Sequence, residues 1–274
     1  MNKKSPIGIF DSGYGGLTVF DEVQKALPEY DYLYFGDNAR APYGNRSFDV
    51  VYEYTLEAVQ FLFNQGCPLV VLACNTASAK ALRTIQQNDL PKLDPEKRVL
   101  GVIRPSTEEI GFLSKTRHVG ILGTTGTIQS ESYVIELKKF ADDVLVSQHA
   151  CPMWVPLIEN EKHQHPAGIQ FIEEDVKELL KKDPLIDTII LACTHYPVVA
   201  EKIQQIAGKD IKVVSQGPIV ADKLKQYLKA HPEMEEKLSK NSLREFYSSE
   251  STVLFNEKAE RFLGYPITSI HHSF

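Results

Sequence analysis

Short apolar runs alternate with segments of helical period along almost the whole chain, and this alternation restricts the fold more than any other feature. Strands are predicted at PIGIF (6–10), YLYFG (32–36), PLVVLA (68–73), VLGV (99–102), VGILG (119–123), VLVSQ (144–148), TIILA (188–192) and KVVS (212–215). Between them the pattern predicts helices over 15–27, 47–65, 76–88, 105–114, 127–140, 168–182, 198–207 and 218–230. The tail adds strand-like REFYS, a helix opened by the cap candidate Ser251, and a last strand near PITSI. Strands that are apolar on both faces and separated by helix-length segments imply an α/β fold with mainly parallel sheets and crossover helices.

The chain also repeats itself. GIFDS at 8–12 reads like GILGT at 120–124, and LACNTAS at 72–78 reads like LACTHYP at 191–197. Two echoes at nearly the same offset imply two halves with the same strand order, and 274 residues suffice for two compact units. The polar, proline-punctuated stretch 89–98 is a candidate linker, and SQGP at 215–218 a second. The expected division is a first domain of 1–98 plus 217–274, the tail returning to pack on it, and a second domain of 99–216. In open α/β sheets ligands sit beyond the carboxyl ends of the strands. Asp11-Ser12, Asp37-Asn38, Cys74-Asn75-Thr76, Thr124 and Cys193-Thr194-His195 all fall at such ends, so two facing halves would bring these loops to one cleft.

Charge narrows the partners. With 30 Lys+Arg against 36 Asp+Glu the net charge is −6, and no basic cluster beyond short pairs such as Lys138-Lys139 is present, which argues against nucleic acid. No apolar run has bilayer length, so no membrane partner is expected. The basic start MNKKSPIGIF lacks the apolar region and small-residue cleavage site of a signal peptide. A cytoplasmic address is therefore expected, with Cys67, Cys74, Cys151 and Cys193 free rather than paired.

Cys74 and Cys193 each follow a strand and precede a helix, where the helix dipole and free N–H groups favour a thiolate. A single cysteine at a strand end is more often a small buried hydrophobe. Two such cysteines, each followed by Asn or Thr in matching halves, favour chemistry. Cys67, between Gly66 and Pro68, reads as packing, whereas Cys151 has no assigned role. Zinc is disfavoured: there is no C-x-x-C, and Cys193-x-His195 and His149-x-Cys151 lack the ligand spacing of structural sites, so no metal is expected.

DSGYGG (11–16) is not G-x-G-x-x-G, but it offers a carboxylate, a hydroxyl and N–H groups at a helix start; a tight turn packed on the sheet is the competing reading of its glycines. Pro42-Tyr43-Gly44 could present backbone donors and a phenol to a ligand. GTTGT (123–127) lacks a P-loop lysine, yet its amides with Thr124 and Thr127 could hold a carboxylate. His195 could orient Cys193 or share its proton.

Two thiols on opposite walls of a cleft suit one reaction well: one takes a proton from one face of a carbon, and the other returns a proton to the opposite face. The product is the mirror image, and no cofactor is needed. The carbanion beside a carboxylate is unstable, so dense hydrogen bonding to that carboxylate must stabilise it.

IGIFDSGYGGLTV, FGDNARAPYG, VVLACNTASA, ILGTTGT and LACTHYP, in this order, resemble the glutamate racemases of the aspartate/glutamate racemase superfamily across essentially the whole chain. The resemblance implies two pseudo-symmetric Rossmann-like domains with the active site at the interdomain cleft. It implies cofactor-independent interconversion of L- and D-glutamate for bacterial peptidoglycan. By motif, Cys74 matches the thiol that deprotonates the D-isomer, assisted by Asp11, and Cys193 the thiol that deprotonates the L-isomer, assisted by His195 and by Glu159 of PLIE. Substrate contacts are implied for Asp11, Ser12, Tyr43, Gly44, Asn75, Thr76, Thr124, Thr127, Thr194 and His195. A homodimer is expected, although no interface patch is legible in one chain. The nearest rival is a racemase acting on aspartate or a hydantoin. A rival from another class is a thiol sensor or metal-binding module that uses Cys74 and Cys193 as a switch.

Overall fold

The computed structural model describes residues 4–274, so residues 1–3 of the basic start lie outside it. Among the described residues ten strands form, in chain order β1 (Ile7–Asp11), β2 (Tyr32–Gly36), β3 (Leu69–Leu72), β4 (Arg98–Gly101), β5 (His118–Gly123), β6 (Leu145–Ala150), β7 (Thr188–Ala192), β8 (Lys212–Val214), β9 (Arg244–Ser248) and β10 (Ser269–His271). They make two sheets, ordered β10-β9-β2-β1-β3-β4 and β6-β5-β7-β8. Every strand pairing is parallel.

The repeat is visible in the order itself. Within each sheet the strand that comes first in the chain lies between the second and the third, with the fourth beyond the third: β2-β1-β3-β4 in one and β6-β5-β7-β8 in the other. Cys74 follows β3 and Cys193 follows β7, which are equivalent positions. Strands β9 and β10 extend the first sheet alone, β9 pairing with β2 from Tyr32↔Arg244 to Gly36↔Ser248. The helix Gly217–Ala230 buries Val220, Leu224 and Leu228 in one core with Leu17 and Val23.

Side chains alternate across each sheet as period two requires. Ile7, Ile9, Tyr32 and Tyr34 enter one core, whereas Phe10, Leu33, Phe35, Val70 and Leu72 enter the core on the other face. The second sheet does the same, with Leu122, Ile189 and Leu191 on one face and Val119, Ile121 and Ile190 on the other. Each fully buried side chain of this kind contributes about 1.5–3 kcal/mol, which explains why these strands read as continuous apolar runs.

The structure departs from expectation at several places. Strand β4 pairs with β3, Val70 against Val99, and Val99 joins the core of Val70 and Leu72. The chain therefore crosses to the second sheet after β4, and a division after residue 98 cuts this strand. The stretch 89–98 is helical as far as Leu93: a π-helical turn at Ile85–Asp89 leads into Leu90–Leu93, where buried Leu90 anchors the segment and Pro91 sits in the first turn, a position that needs no N–H. Helix Trp154–Glu159 has no counterpart among the predicted helices, because six residues with an internal proline carry no helical period. Ser251 does precede helix Thr252–Leu263, but its hydroxyl makes no cap bond.

Asp187 ties the second sheet together. Its carboxylate accepts from Ser114 Oγ at 2.7 Å, Lys115 N at 2.6 Å, Thr116 N at 2.8 Å and Thr188 Oγ1 at 2.9 Å, fastening the turn before β5 to the start of β7. Partial burial opposes its charge, yet these four donors outweigh it and hold the carboxyl down at about 2, below the ordinary 3.8. A depressed carboxyl stabilises the fold fully above about 3.8 and stops doing so as pH falls through about 2. Asp187→Asn is expected to lower the unfolding temperature at pH 7, with the gap to wild type closing between pH 4 and 2 in acid melts followed by circular dichroism. A gap independent of pH would show that the charge of Asp187 plays no part.

Candidate active site

The carboxyl ends of β1, β3, β5 and β7 meet at a narrow cleft between the two sheets. From the first sheet Ser12, Cys74, Asn75 and Thr76 line it; from the second, Thr124, Cys193, Thr194 and His195. The loop carrying Tyr43 and Gly44 and the helix carrying Glu159 complete the wall.

Cys74 ends the run LVVLA and caps helix Asn75–Lys80, its Sγ accepting from Ala77 N at 3.4 Å. Ser12 Oγ lies 3.4 Å from the same sulfur. Sequence position predicts a thiol acidified by the helix start. In the fold, burial and the Asp11 carboxylate outweigh the donors from Ser12 and Ala77 and push Cys74 up to about 12. The thiol is thus the stable form of Cys74.

Cys193 has a different setting. It is followed by Thr194, His195 and a single 3₁₀ turn at Tyr196–Val199 rather than by an α-helix start. Its Sγ faces His195 Nδ1 at 3.9 Å, and His195 Nε2 meets Glu159 Oε1 at 2.9 Å. Burial alone would discharge the imidazole, but its contacts with Cys193 and Glu159 overcome this and raise His195 to about 10. Cys193, His195 and Glu159 therefore form one chain, buried at the thiol and imidazole and half-buried at the carboxylate, with a proton held on the imidazole.

Asp11 ends β1 and has no exposed surface. Its Oδ2 accepts from Gly13 N at 2.9 Å and its Oδ1 from Thr194 Oγ1 at 3.4 Å, which bridges the two halves behind the cleft wall. Burial raises its carboxyl above the ordinary range, while His195 and the Gly13 and Gly16 N–H groups hold it back. The glycines of DSGYGG prove structural: a Cβ on Gly15 would lie 2.4 Å from His195 Nδ1, and one on Gly16 2.3 Å from Asp11 Cβ. These two glycines let the first loop close on the residues beside the thiols.

Three hydroxyls meet across the halves. Thr76 Oγ1 lies 2.9 Å from Thr124 Oγ1 and 3.5 Å from Thr127 Oγ1, and the latter two are 3.1 Å apart. Thr76 and Thr124 face the cleft, whereas Thr127 is fully buried behind them. Gly126 N donates to Gly44 O at 2.8 Å, holding the Tyr43-Gly44 loop against this cluster. Tyr43 lines the cleft, and its phenol is buried and donates to Asp37, whose carboxylate also accepts from Arg40 at 2.6 Å and Ser249 at 2.7 Å.

Sequence reasoning missed Cys151, Pro152, Val155 and Pro156, which also line the cleft. They lie on and just before helix Trp154–Glu159, whose Trp154 Nε1 donates to Asp175 Oδ2 at 2.6 Å. Cys151 is buried, and burial together with Asp175 keeps its thiol protonated. Nothing in the local sequence marks this wall, since its placement depends on the Trp154–Asp175 bond across 21 residues.

A duplicated parallel α/β chain with its site between the two sheets, and a thiol at the matching strand end of each, is the class these observations define. The sequence profile of the Asp/Glu/hydantoin racemase family matches residues 15–224. The glutamate racemase of Ruegeria sp. (strain TM1040) is 43% identical over 83% of this chain and 87% of its own, and that of Streptococcus suis (strain 05ZYH33) 36% over 97% of each. Among solved structures, a glutamate racemase isoform from Bacillus anthracis superposes with a TM-score of 0.90 at 35% identity, covering 99% of this chain and 98% of the other. The Francisella tularensis glutamate racemase in complex with D-glutamate gives 0.85 at 29% identity, over 100% and 97%. The chain belongs to the Asp/Glu/hydantoin racemase family and so to the isomerases.

A raised imidazole stabilises the fold fully below about 6.5, and this stabilisation fades as pH rises through about 10. Replacing Glu159 by Gln removes the carboxylate that helps hold the proton. Histidine-labelled NMR of Glu159→Gln is expected to show His195 titrating below the wild-type value of about 10. An unmoved titration would separate Glu159 from the Cys193–His195 pair.

Proposed function

We propose that the chain interconverts L- and D-glutamate without a cofactor, Cys74 and Cys193 acting as paired proton carriers, and that the D-isomer supplies peptidoglycan synthesis in the cytoplasm. The observation that carries this reading is the position of the two buried cysteines, at equivalent strand ends of the two sheets and on one cleft. The curated relatives named as glutamate racemases, and the D-glutamate complex of one solved relative, support the substrate.

The two walls start unequal. Cys74 carries its proton, whereas Cys193 lies beside a protonated His195 backed by Glu159. Cys193 as thiolate takes the α-proton of L-glutamate, and Cys74 delivers its own proton to the opposite face. This leaves the pair reversed and ready for the D-isomer. Asp11 beside Cys74 opposes a thiolate there, so once product leaves Cys74 takes up a proton from solvent while Cys193 releases its own to solvent, which resets the pair. The hydroxyls of Thr76 and Thr124, with the Asn75 amide, are suited to the substrate carboxylate, whose charge grows as the carbanion forms. The two domains proposed to carry these walls meet where the chain crosses between sheets, after β4 and again before Gly217.

Cys74→Ser and Cys193→Ser are each expected to reduce racemisation by several orders of magnitude, as loss of one member of a catalytic pair does. Polarimetry with L-glutamate and with L-aspartate, no cofactor added, measures the rate and the substrate together, and in heavy water the product should carry deuterium at the α-carbon. Full activity in either variant overturns the two-thiol scheme, and turnover of aspartate alone overturns the assignment to glutamate.

A further inference from the structure

Asn75 follows Cys74 directly and lines the cleft, yet two of its polar bonds point away from it. Asn75 Nδ2 donates to Gln216 Oε1 at 2.7 Å. Gln216 Nε2 donates to the Tyr133 hydroxyl at 2.6 Å. The Tyr133 hydroxyl donates to Asn75 Oδ1 at 2.7 Å. The three side chains thus close a ring in which every group donates once and accepts once. Each comes from a separate element: Asn75 from the helix after β3, Tyr133 from helix Ser132–Phe140 beside the second sheet, and Gln216 from the residue that opens helix Gly217–Ala230.

Direction around the ring follows from donor chemistry. A glutamine nitrogen only donates, so the Tyr133 oxygen accepts from it and must turn its own proton to Asn75. That proton requires an acceptor, which sets the Asn75 amide with its oxygen toward Tyr133 and its nitrogen toward Gln216. Burial of Tyr133 keeps the phenol protonated and able to donate. Gln216 is itself held: Nε2 also lies 2.7 Å from Ser106 Oγ and 3.3 Å from Val102 O, where the chain first crosses between the sheets. Neither Gln216 nor Tyr133 lines the cleft. With one of its two N–H bonds committed to Gln216, the Asn75 amide has a second N–H to offer, and an amide flip would exchange it for a carbonyl oxygen.

We propose that Gln216 and Tyr133 are positioning residues that lock the Asn75 side chain as a hydrogen-bond donor to the substrate carboxylate and exclude the flipped form, which would present an oxygen to an anion. The inference deepens the racemase reading and rests on it. Asn75 is the group that touches substrate; the other two act through it. Because the carboxylate gains charge as the carbanion forms, a donor to it is worth more during proton transfer than before it, and its loss is read in kcat as well as KM, hence in kcat/KM.

The test uses the whole enzyme with L- and D-glutamate. In Tyr133→Phe the Asn75 oxygen loses its donor; in Gln216→Met the phenol is free to accept instead of donate. Both leave the amide able to flip. Loss of a correctly directed hydrogen bond to a charged group is expected to lower kcat/KM about tenfold or more in both directions in each variant, with kcat falling as well as KM rising. The discriminating measurement is the cycle with Asn75→Ala. Adding Tyr133→Phe to Asn75→Ala should lower kcat/KM no further, whereas a purely structural effect of Tyr133 would persist in that background. Unchanged kcat/KM in both single variants, additive effects in the cycle, or loss of folding in both variants by thermal melt would each overturn the inference. Wild-type protein that neither binds nor turns over glutamate would overturn the racemase reading and this inference with it. Normal wild-type turnover beside any of the other failures removes this inference alone.

Discussion

Parallel pairing of every strand is the constraint on which the rest depends. Because all strands of a sheet run the same way, their carboxyl ends lie along one edge, and the loops leaving β1 and β3 in one sheet face those leaving β5 and β7 in the other. Each sheet carries apolar cores on both faces, and the polar groups of the cleft stand where the central strands stop. Asp11, Cys74, Thr124 and Cys193 each stand at or just past the end of a strand.

Bringing two such edges together buries many polar groups at once, and the cleft is organised by the need to satisfy them. Asp11 meets Thr194, Thr76 meets Thr124 and Thr127, and Asn75 meets Gln216 and Tyr133; every one of these contacts joins parts of the chain far apart in sequence. The same bonds that hold the halves together therefore orient the groups facing the cleft. Glycines 15 and 16 permit the approach, since a side chain at either position would collide with His195 or Asp11. The pair of thiols is symmetric in topology and unequal in electrostatics. An acid neighbour and burial keep the proton on Cys74, and a charged imidazole stands beside Cys193.

Much of this was legible in the residues. The ten strands lie where the apolar runs stand, and the echo of LACNTAS in LACTHYP marks equivalent ends of two equally ordered sheets. What was illegible shares one physical origin. Helix Trp154–Glu159 is too short for a period, and its place is set by the bond from Trp154 to Asp175. The bond from the Tyr43 phenol to Asp37, whose carboxylate is shared with distant Ser249, is likewise set by the fold. Gln216 reads as part of a polar linker, yet it is buried at the crossing between the sheets. The acidified thiol expected of Cys74 follows from the helix start alone, and burial beside Asp11 reverses it.

By itself the sequence determined the parallel α/β class, the duplication and the two cysteines at matching ends, because strand period, apolar runs and local motifs are properties of neighbours along the chain. Only the tertiary structure decided the protonation bias of the two walls, the orientation of the Asn75 amide and the composition of the cleft's third side. Desolvation, charge proximity and hydrogen-bond direction depend on which distant segments are brought within a few ångströms. Nothing local in the chain encodes those distances.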